Sequence, residues 1–397
     1  MRELNVALIG YNFMGKAHSY AIGNAAFFFP QEVKPVKKVI AGRNEPGLKR
    51  AAEQFGWQEY TTDWREAVGR SDIDIVCIAT PTSSHKEIAV AAAKAGKHVL
   101  CEKPLGMNAG EARQMWEAAH QAGVIHMIGH NYRRVPAIAL AKKLIDDGKL
   151  GDIYHFRGVY LQDWLSDPAA PMSWRLDKRI AGAGAHGDLN AHLIDLARYL
   201  VGDMERVVGM EKTFVTRRTK ALGDKPPNGE ESEEADRLED VTVDDAAAFL
   251  ARFKNGALGT FEASRMAGGR KNHERIEING SKGSLAFHFE RMNELEFWSR
   301  EDDPETQGYR TILATEEVHP YMQAWWPPGH PLGYQNTFVN QFADLIRAIL
   351  AGEQVQPNFY DGWMCNLVLD AVSRSVQSLT WEHAEPAAAE LHETAGR

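Results

Sequence analysis

Two short segments of the chain carry side chains suited to acid–base chemistry on an alcohol. Glu102-Lys103-Pro104 follows an apolar run, and Asp188-Leu189-Asn190-Ala191-His192 places an aspartate and a histidine four residues apart. On a helix this spacing puts both side chains on one face, where the carboxylate can orient the imidazole. An imidazole with a pKa of about 6.5 can accept a hydroxyl proton, and an ammonium stabilises a developing alkoxide. We predict Lys103, Asp188 and His192 to be catalytic in the oxidation of a secondary alcohol.

The aspartate–histidine pair also has two non-catalytic interpretations. The pair can be a helix cap beside a buried histidine, or it can join His186 in a metal site. Positions 186 and 192 do not share a helical face, so we predict no bound metal. The presence of Lys103 after a strand favours the catalytic interpretation.

A glycine turn near the N-terminus predicts a dinucleotide site. The apolar run Leu4 to Ile9 ends in Gly10-Tyr11-Asn12-Phe13-Met14-Gly15, and a helix-compatible segment follows. Such a turn lets the backbone approach a pyrophosphate at a helix N-terminus. Asn12 replaces the usual middle glycine, and asparagine tolerates positive φ better than most residues. An ordinary strand-to-helix turn is the alternative. The predicted cofactor contacts here are Gly10, Asn12, Phe13, Met14 and Gly15.

The end of the second strand bears on the choice of cofactor. An acidic residue there would bind the adenosine ribose of NAD, but this chain has Ala41-Gly42-Arg43-Asn44. A small residue followed by a guanidinium suits a 2′-phosphate, so Arg43 favours NADP over NAD. Alternatively, Arg43 only stacks on adenine.

The order of apolar segments predicts two domains with different sheets. Strands and helices alternate up to about residue 130, which is typical of a doubly wound parallel sheet. Strand-like segments with few helices follow from Ile153 to Trp298, which predicts an α+β domain with a mostly antiparallel sheet, closed by two long helices. We therefore expect an α/β domain over 1–130 and an α+β domain over 131–397. The polar stretch Arg217 to Asp240 is expected to be a surface loop, and the tail from Ala384 to fray.

Composition limits the classes of partner and the compartment. The net charge of −9 and the absence of a basic run argue against nucleic acid. The chain has no run of about 18 apolar residues and no secretory signal, which predicts no membrane association. Three cysteines without metal spacing indicate reduced thiols and a cytoplasmic protein.

Three motifs together resemble the Gfo/Idh/MocA oxidoreductase family. They are Ala79-Thr80-Pro81 with His85, the segment Gly96 to Leu105, and the segment Gly182 to Asp195. The likeness is strongest to inositol-type and levoglucosan-type dehydrogenases around Asn131 to Ala137 and Tyr160 to Trp164. It implies catalytic roles for Lys103, Asp188 and His192, and a homodimer or homotetramer. The further cofactor contacts that it implies are Thr80, Pro81, His85, Glu102 and Asn131.

The substrate is expected to be a small polyol. Ten tryptophans are many for this length, and aromatic faces stack on the C–H faces of sugars, although core packing explains any single one equally well. We predict a sugar, anhydrosugar or cyclitol. The expected substrate contacts are Lys103, Arg133, Trp164, Trp174, Arg175 and His186. Two alternatives stay open: a nicotinamide-dependent glycosidase, and a cofactor-binding sensor without catalysis like the yeast galactose-pathway repressor.

Overall fold

A computed structural model of the chain describes residues 2–220 and 237–386. The middle of the predicted polar loop, 221–236, and the predicted tail from residue 387 onward lie outside the described residues. The chain divides into two compact units. Unit 1 is Met1–Lys149, Met292–Phe297 and Tyr309–Asn366, and unit 2 is Leu150–Arg291, Trp298–Gly308 and Leu367–Arg397.

Helices occur along the whole described chain. They are α1 (Phe13–Phe28), α2 (Glu45–Phe55), α3 (Trp64–Gly69), α4 (His85–Lys94), α5 (Ala109–Gln121), α6 (Pro136–Asp146), α7 (Lys178–Ala181), α8 (Ala191–Leu200), α9 (Tyr334–Ala351) and α10 (Phe359–Ser378).

Unit 1 is built on a six-stranded parallel sheet. Its strands are β1 (Arg2–Ile9), β2 (Val33–Ala41), β3 (Glu59–Thr61), β4 (Ile75–Ile78), β5 (His98–Cys101) and β6 (His126–Ile128). They stand in the order β3-β2-β1-β4-β5-β6, which is the order of a dinucleotide-binding doubly wound sheet. The predicted α/β architecture is confirmed.

The central strands are apolar throughout because helices cover both faces of a parallel sheet. Every residue of β4 is buried, and Leu8 and Leu100 are fully buried in β1 and β5. Helix α9 joins this core through Phe338 and Phe342, although it lies far beyond residue 130 in the sequence. The core of unit 1 therefore combines N-terminal and C-terminal segments.

Unit 2 contains a mostly antiparallel sheet. Its strands are β7 (Ile153–Leu161), β8 (Met204–Lys212), β11 (Ala246–Phe253), β12 (Leu258–Ser264), β13 (His273–Gly280), β14 (Gly283–His288) and β17 (Glu382–His383). They stand side by side in the order β14-β13-β7-β12-β11-β8-β17, and within this series only β7 and β12 run parallel. The predicted α+β class with a large, mostly antiparallel sheet is confirmed. Strands β15 (Glu294–Ser299) and β16 (Arg310–Leu313) pair with each other in antiparallel orientation.

The ends of the predicted polar loop are ordered strands, so the loop prediction was wrong there. Strands β9 (Arg217–Thr219) and β10 (Leu238–Asp240) pair antiparallel. Arg218 is 1% exposed, and its guanidinium donates to the carbonyl oxygens of Leu165, Asp167 and Ala170. A buried arginine with backbone partners gives no apolar signal, which is why the pattern looked like a loop.

The composition predicted reduced cysteines and no membrane-spanning segment. The three cysteines are buried and unbridged, as expected for structural thiols. Within residues 2–220 and 237–386, no helix combines the length and the apolar character that crossing a bilayer requires.

Candidate active site

The glycine turn of unit 1 has two positions that admit no side chain. Gly10 has a φ of +102°, and a Cβ there would lie 2.5 Å from the Ala79 carbonyl oxygen. A Cβ on Gly15 would lie 2.3 Å from the Gly10 carbonyl oxygen. Asn12 has a φ of −73°, so the turn makes no use of the tolerance of asparagine for positive φ. Gly10 is thus the position of this turn that requires a left-handed backbone, and Gly15 is the position where the backbone of Gly10 leaves no room for a side chain.

The start of α1 fits the pyrophosphate of a dinucleotide. Asn12 precedes the helix and makes no side-chain cap to it. The N-terminal amides of α1 follow directly on the glycine turn, where the helix dipole favours an anion. Phe13 is 61% exposed and its ring stacks on Tyr334 at 6.1 Å, while Met14 packs against the core of unit 1.

The end of β2 has no carboxylate, as the sequence indicated. Ala41 is buried and Arg43 is exposed. Gly42 lies against the Tyr11 ring, where a Cβ would come within 2.5 Å of the ring. Asn44 accepts from the Gly47 amide at 2.9 Å and so caps α2. Arg43 is thus the side chain next to this strand end with a charge suited to a phosphate.

The segment after β4 is held by His85. Its Nε2 lies 3.0 Å from the Thr80 carbonyl oxygen, and its Nδ1 lies 3.1 Å from the Pro104 carbonyl oxygen. Burial lowers the pKa of His85, while these carbonyls and the charge of Glu102 act in the opposite direction. His85 therefore ties the loop of Thr80 and Pro81 to the segment after Lys103.

Glu102 has a buried partner that the sequence patterns did not indicate. His18 of α1 places its Nε2 2.7 Å from Glu102 Oε1, and both side chains are almost fully buried. The Lys103 amide donates to the other carboxylate oxygen at 3.4 Å, and the Lys103 side chain is partly exposed. His18 falls on the buried face of α1 with Gly15 and Ile22. A histidine on the buried face of a helix needs a polar partner, so the position of His18 in the sequence could have indicated a buried contact of this kind.

Asn131 and Arg133 are interior residues of unit 1. Asn131 Nδ2 donates to Thr337 Oγ1 at 2.7 Å, and Asn131 is 2% exposed. Arg133 is 6% exposed and forms an ion pair with Asp361 at 3.2 Å. This ion pair engages Nη2 of the guanidinium, and the substrate contact of Arg133 stays a prediction.

In unit 2, Asp244 shapes the backbone ahead of Asp188. Its Oδ1 accepts from the Gly184 amide and its Oδ2 from the His186 amide, both at 2.7 Å. A Cβ on Gly184 would lie 1.8 Å from the Asp244 carbonyl oxygen, so only glycine fits. His186–Asn190 then forms one π-helical turn, and α8 begins only at Ala191.

This π turn corrects the helix expected over Asp188 and His192. A π turn spaces its hydrogen bonds five residues apart instead of four and often occurs at functional sites. Asp188 therefore lies in the wider turn and His192 in the first turn of α8. Four residues still nearly complete one revolution of either turn, so both side chains remain on similar faces.

Arg265 is the second residue that the sequence patterns did not indicate. Its Nη2 donates to Asp188 Oδ2 at 2.8 Å, and its Nη1 lies 3.5 Å from the Arg175 carbonyl oxygen. The Arg265 side chain is 1% exposed, whereas that of Asp188 is 30% exposed. The carboxylate is thus fixed from the protein interior. Arg265 directly follows β12, and only its position at a strand end could have singled it out.

His192 and Trp164 lie in the same unit as Asp188. His192 is 6% exposed, and its ring centroid lies 5.9 Å from that of Tyr160. The Arg265 guanidinium stands 5.2 Å from the Trp164 ring, and Trp164 is 42% exposed. This part of unit 2 combines a proton acceptor, a fixed carboxylate and an exposed aromatic face.

Arg175 and Trp174 extend this group. The Arg175 guanidinium lies 4.5 Å from the centre of the Trp174 ring. Burial lowers the pKa of Arg175, the Asp188 carboxylate raises it, and Arg265 lowers it further. The Asp188 carboxylate therefore interacts with two guanidinium groups, those of Arg175 and Arg265.

His186 does not fit the substrate contact predicted for it. It is 0% exposed, its Nε2 lies 3.0 Å from the Leu369 carbonyl oxygen, and its Nδ1 lies 3.1 Å from Asn190 Nδ2. Both ring nitrogens are used inside unit 2, so His186 holds the π turn.

Comparisons with known proteins identify the family of the chain. Residues 4–130 match the oxidoreductase family with an NAD-binding Rossmann fold, and residues 138–286 match the GFO/IDH/MocA C-terminal domain. The chain is 44% identical to the levoglucosan dehydrogenase of Pseudarthrobacter phenanthrenivorans over 383 residues, covering 96% of this chain and 98% of that protein.

Solved structures of similar proteins cover almost the whole chain. An oxidoreductase domain protein from Kribbella flavida has 51% identity and a TM-score of 0.91, covering 97% of this chain and 100% of that one. A levoglucosan dehydrogenase in complex with NADH and L-sorbose has 43% identity and a TM-score of 0.91, covering 98% and 100%. The chain is thus a nicotinamide-dependent dehydrogenase, and it belongs to the Gfo/Idh/MocA family of NAD-binding oxidoreductases.

Proposed function

We propose that the chain oxidises a secondary alcohol of a sugar, anhydrosugar or cyclitol. One observation carries the proposal: the Asp188 carboxylate is held at 2.8 Å by a buried guanidinium, in the same unit as His192 and the exposed ring of Trp164. A carboxylate and an imidazole serve proton removal, and an aromatic face suits the C–H face of a sugar ring. The likeness to a levoglucosan dehydrogenase supports an anhydrosugar as the first substrate to try.

Each candidate catalytic residue has a separate role in this proposal. His192 accepts the proton of the substrate hydroxyl, and Asp188 orients its imidazole. The Lys103 ammonium stabilises the negative charge that develops on the oxygen. A nicotinamide ring, when bound, would supply the acceptor for the hydride that leaves the same carbon. In unit 1, Gly10, Gly15 and the start of α1 hold the dinucleotide.

Substrate recognition is assigned to unit 2 residues that keep exposed surface. Trp164 is exposed, and Trp174 and Arg175 are partly exposed. The two indoles provide stacking faces, and the guanidinium donates to substrate hydroxyls. In this assignment residues 131–397 recognise the substrate and residues 1–130 the cofactor.

We infer that Arg43 gives NADP an advantage over NAD. The support is the exposed guanidinium at the end of β2 and the lack of a carboxylate in Ala41-Gly42-Arg43-Asn44. A 2′-phosphate would be repelled by the usual acidic residue and is attracted by arginine. The similar levoglucosan dehydrogenase is known with NADH, so the inference concerns a preference and leaves NAD binding intact.

A substrate panel read with both cofactors tests the function. Levoglucosan, L-sorbose, myo-inositol and common hexoses are each mixed with the protein and NAD or NADP, and absorbance of the reduced nicotinamide is followed. Reversible reduction with at least one polyol is expected. Cleavage of an aryl glycoside without net reduction would identify a glycosidase instead, and cofactor binding without turnover on the whole panel would identify a sensor.

We also propose that the chain forms a homodimer or homotetramer through one face of the unit 2 sheet. Leu250 is 49% exposed, Met210 71% and Leu258 52%, and these residues lie on β11, β8 and β12. Leu250 pairs with Val208 on β8 and with Thr260 on β12. Met210 pairs with Ala248 and Leu258 with Arg252, which lie two residues before and after Leu250 on β11, so the three exposed side chains share one face of the sheet. Exposed apolar side chains gathered on one face of a sheet are typical of an interface between copies.

A further inference from the structure

Two histidines and a glutamate meet at the end of one β-hairpin of unit 2. His273 begins β13, His288 ends β14, and Glu290 follows two residues later. The nitrogens His273 Nδ1 and His288 Nε2 are 2.8 Å apart. Glu290 Oε2 lies 3.4 Å from His288 Nε2 and 3.9 Å from His273 Nδ1. The proposed dehydrogenase chemistry uses none of the three.

We propose that His273, His288 and Glu290 bind one divalent transition-metal ion of the Zn²⁺ type. Zinc bonds to imidazole nitrogen and carboxylate oxygen are about 2.0–2.2 Å long, so two ligand atoms of a tetrahedral site are about 3.3 Å apart. The three separations of 2.8, 3.4 and 3.9 Å bracket that value. Only small side-chain movements are needed to close the set around an ion.

The hairpin fixes these ligands before any ion arrives. His288 is opposite Arg275 in the register of β13 and β14, two residues from His273, and the two imidazole rings are 4.6 Å apart. The second oxygen of Glu290 accepts from the Asn272 amide at 2.9 Å. A hydrogen bond to the free oxygen of a ligating carboxylate is the usual support of a metal site.

The ligand chemistry selects the class of ion. Two imidazoles with one carboxylate suit Zn²⁺, Co²⁺ and Ni²⁺, whereas Mg²⁺ and Ca²⁺ prefer oxygen ligands. Both histidines are partly exposed and Glu290 is exposed, so an ion can enter from solvent. Water can complete the coordination on the open side.

The positive charges of nearby arginines should weaken the binding of a metal cation to this cluster. Arg270 Nη1 lies 3.4 Å from His273 Nδ1, the nitrogen assigned as ligand. The charges of Arg275 and Arg291 also disfavour additional positive charge at His288. Arg270 is exposed, so its side chain can move away on binding. Removing the Arg270 charge should therefore tighten metal binding. If the two histidines only stabilised the fold, the Arg270 substitution would not change metal affinity.

The cluster is connected to the wall of the candidate active site within unit 2. Asn272 Oδ1 accepts from the Tyr160 hydroxyl at 2.7 Å and from Gln162 Nε2 at 2.9 Å. Tyr160 in turn contacts His192. A bound ion that fixes Glu290 would also stabilise Asn272, so a rise in Tm is expected on metal addition.

Metal titration of the full chain tests the proposal. Protein stripped with a chelator is titrated with Zn²⁺ by calorimetry and with Co²⁺ by visible absorption. One equivalent is expected to bind with a Kd of about 10 µM or lower, and the Co²⁺ spectrum should show ligand-field bands. His288→Ala and Glu290→Gln should each weaken binding at least tenfold, and Arg270→Ala should strengthen it.

His383→Ala is the matched control, because His383 is an exposed histidine of the same unit outside the cluster. It should bind the ion like the unmodified chain. Glu290→Gln keeps the size of the side chain, so it remains informative if His288→Ala does not fold. The proposal is overturned if binding is not saturable, or if Glu290→Gln binds Zn²⁺ as tightly as the unmodified chain.

Discussion

Arg265 donates from Nη2 to Asp188 Oδ2 at 2.8 Å, and the guanidinium is buried while the carboxylate is partly exposed. A buried arginine held by the Arg175 carbonyl cannot follow the carboxylate into solvent. The Asp188 side chain is therefore restricted to one orientation within unit 2. In the proposed reaction Arg265 is a positioning residue, since it acts through Asp188.

Replacing Arg265 should lower turnover more than substrate binding. We expect Arg265→Ala to reduce kcat by about 100-fold with a much smaller change in KM, and Arg265→Lys to recover part of the loss, because the charge remains while the planar fork is lost. The pH dependence of kcat should also move, since the orientation of the His192 imidazole changes. Steady-state kinetics over pH check this, with the exposed Arg157→Ala as control. A kcat for Arg265→Ala within twofold of the unmodified chain would contradict the role.

Removing either candidate acid–base group should leave the cofactor bound. Lys103→Ala and His192→Ala are each expected to lower kcat by about 100-fold or more, because each removes a charge or proton acceptor needed only during reaction. Cofactor affinity, measured by fluorescence titration, should change less than threefold. Lys143→Ala, an exposed lysine of α6, is the control. Full turnover in either variant would end the assignment of that residue.

Arg43→Ala should weaken NADP more than NAD. The guanidinium is exposed at the end of β2, and only NADP carries the 2′-phosphate that it can pair with. We expect a loss of about tenfold in NADP affinity with NAD affinity within twofold, measured by titration of both cofactors. Equal losses for the two cofactors would instead indicate stacking of Arg43 on adenine.

His126 should make unit 1 less stable in mild acid. Burial lowers the pKa of His126 to about 4, and the Phe359 amide donates to its neutral Nδ1 at 3.1 Å. The unfolded chain binds the proton at about pH 6.5. The folded state therefore loses about 3 kcal/mol of unfolding free energy as pH falls from about 7.5 to 4, and most of this loss occurs below pH 6.5.

Urea unfolding across this pH range measures the effect. His126→Asn keeps an acceptor for the Phe359 amide and cannot be protonated, so its stability should fall less steeply with decreasing pH. His330→Asn, at an exposed position, should follow the unmodified chain. Identical slopes for His126→Asn and the unmodified chain would show that His126 does not titrate in this range.

Leu250→Glu should dissociate the proposed oligomer. A charge between the exposed side chains of Met210 and Leu258 would be desolvated in an interface between copies, which costs several kcal/mol. Light scattering after size-exclusion chromatography should show a dimer or tetramer for the unmodified chain and a smaller species for the variant. Leu238→Glu is the matched control, because Leu238 is an exposed leucine of β10, outside this sheet. A monomeric unmodified chain would remove the oligomer proposal.

Local sequence patterns were sufficient for the architecture. Alternating apolar segments and the turn Gly10 to Gly15 depend only on neighbours along the chain, and they predicted the parallel sheet of unit 1 and the antiparallel sheet of unit 2. The same patterns named Lys103, Asp188 and His192, because residue type and spacing are local properties. The π turn was missed, since it depends on Asp244, which lies 58 residues after His186.

The order of the elements and the types of reactive side chain thus follow from the amino-acid pattern alone. Which polar residues are buried, and against which partners, depends instead on the folded chain. His18 contacts Glu102, which lies 84 residues away in the sequence, and Arg265 contacts Asp188 at a separation of 77 residues. Arg133 forms an ion pair with Asp361 at a separation of 228 residues. Periodicity reports apolar burial, whereas a polar side chain can be buried only if a partner arrives from elsewhere in the chain. That partner is a property of the fold, so it cannot be inferred from the neighbours of the residue.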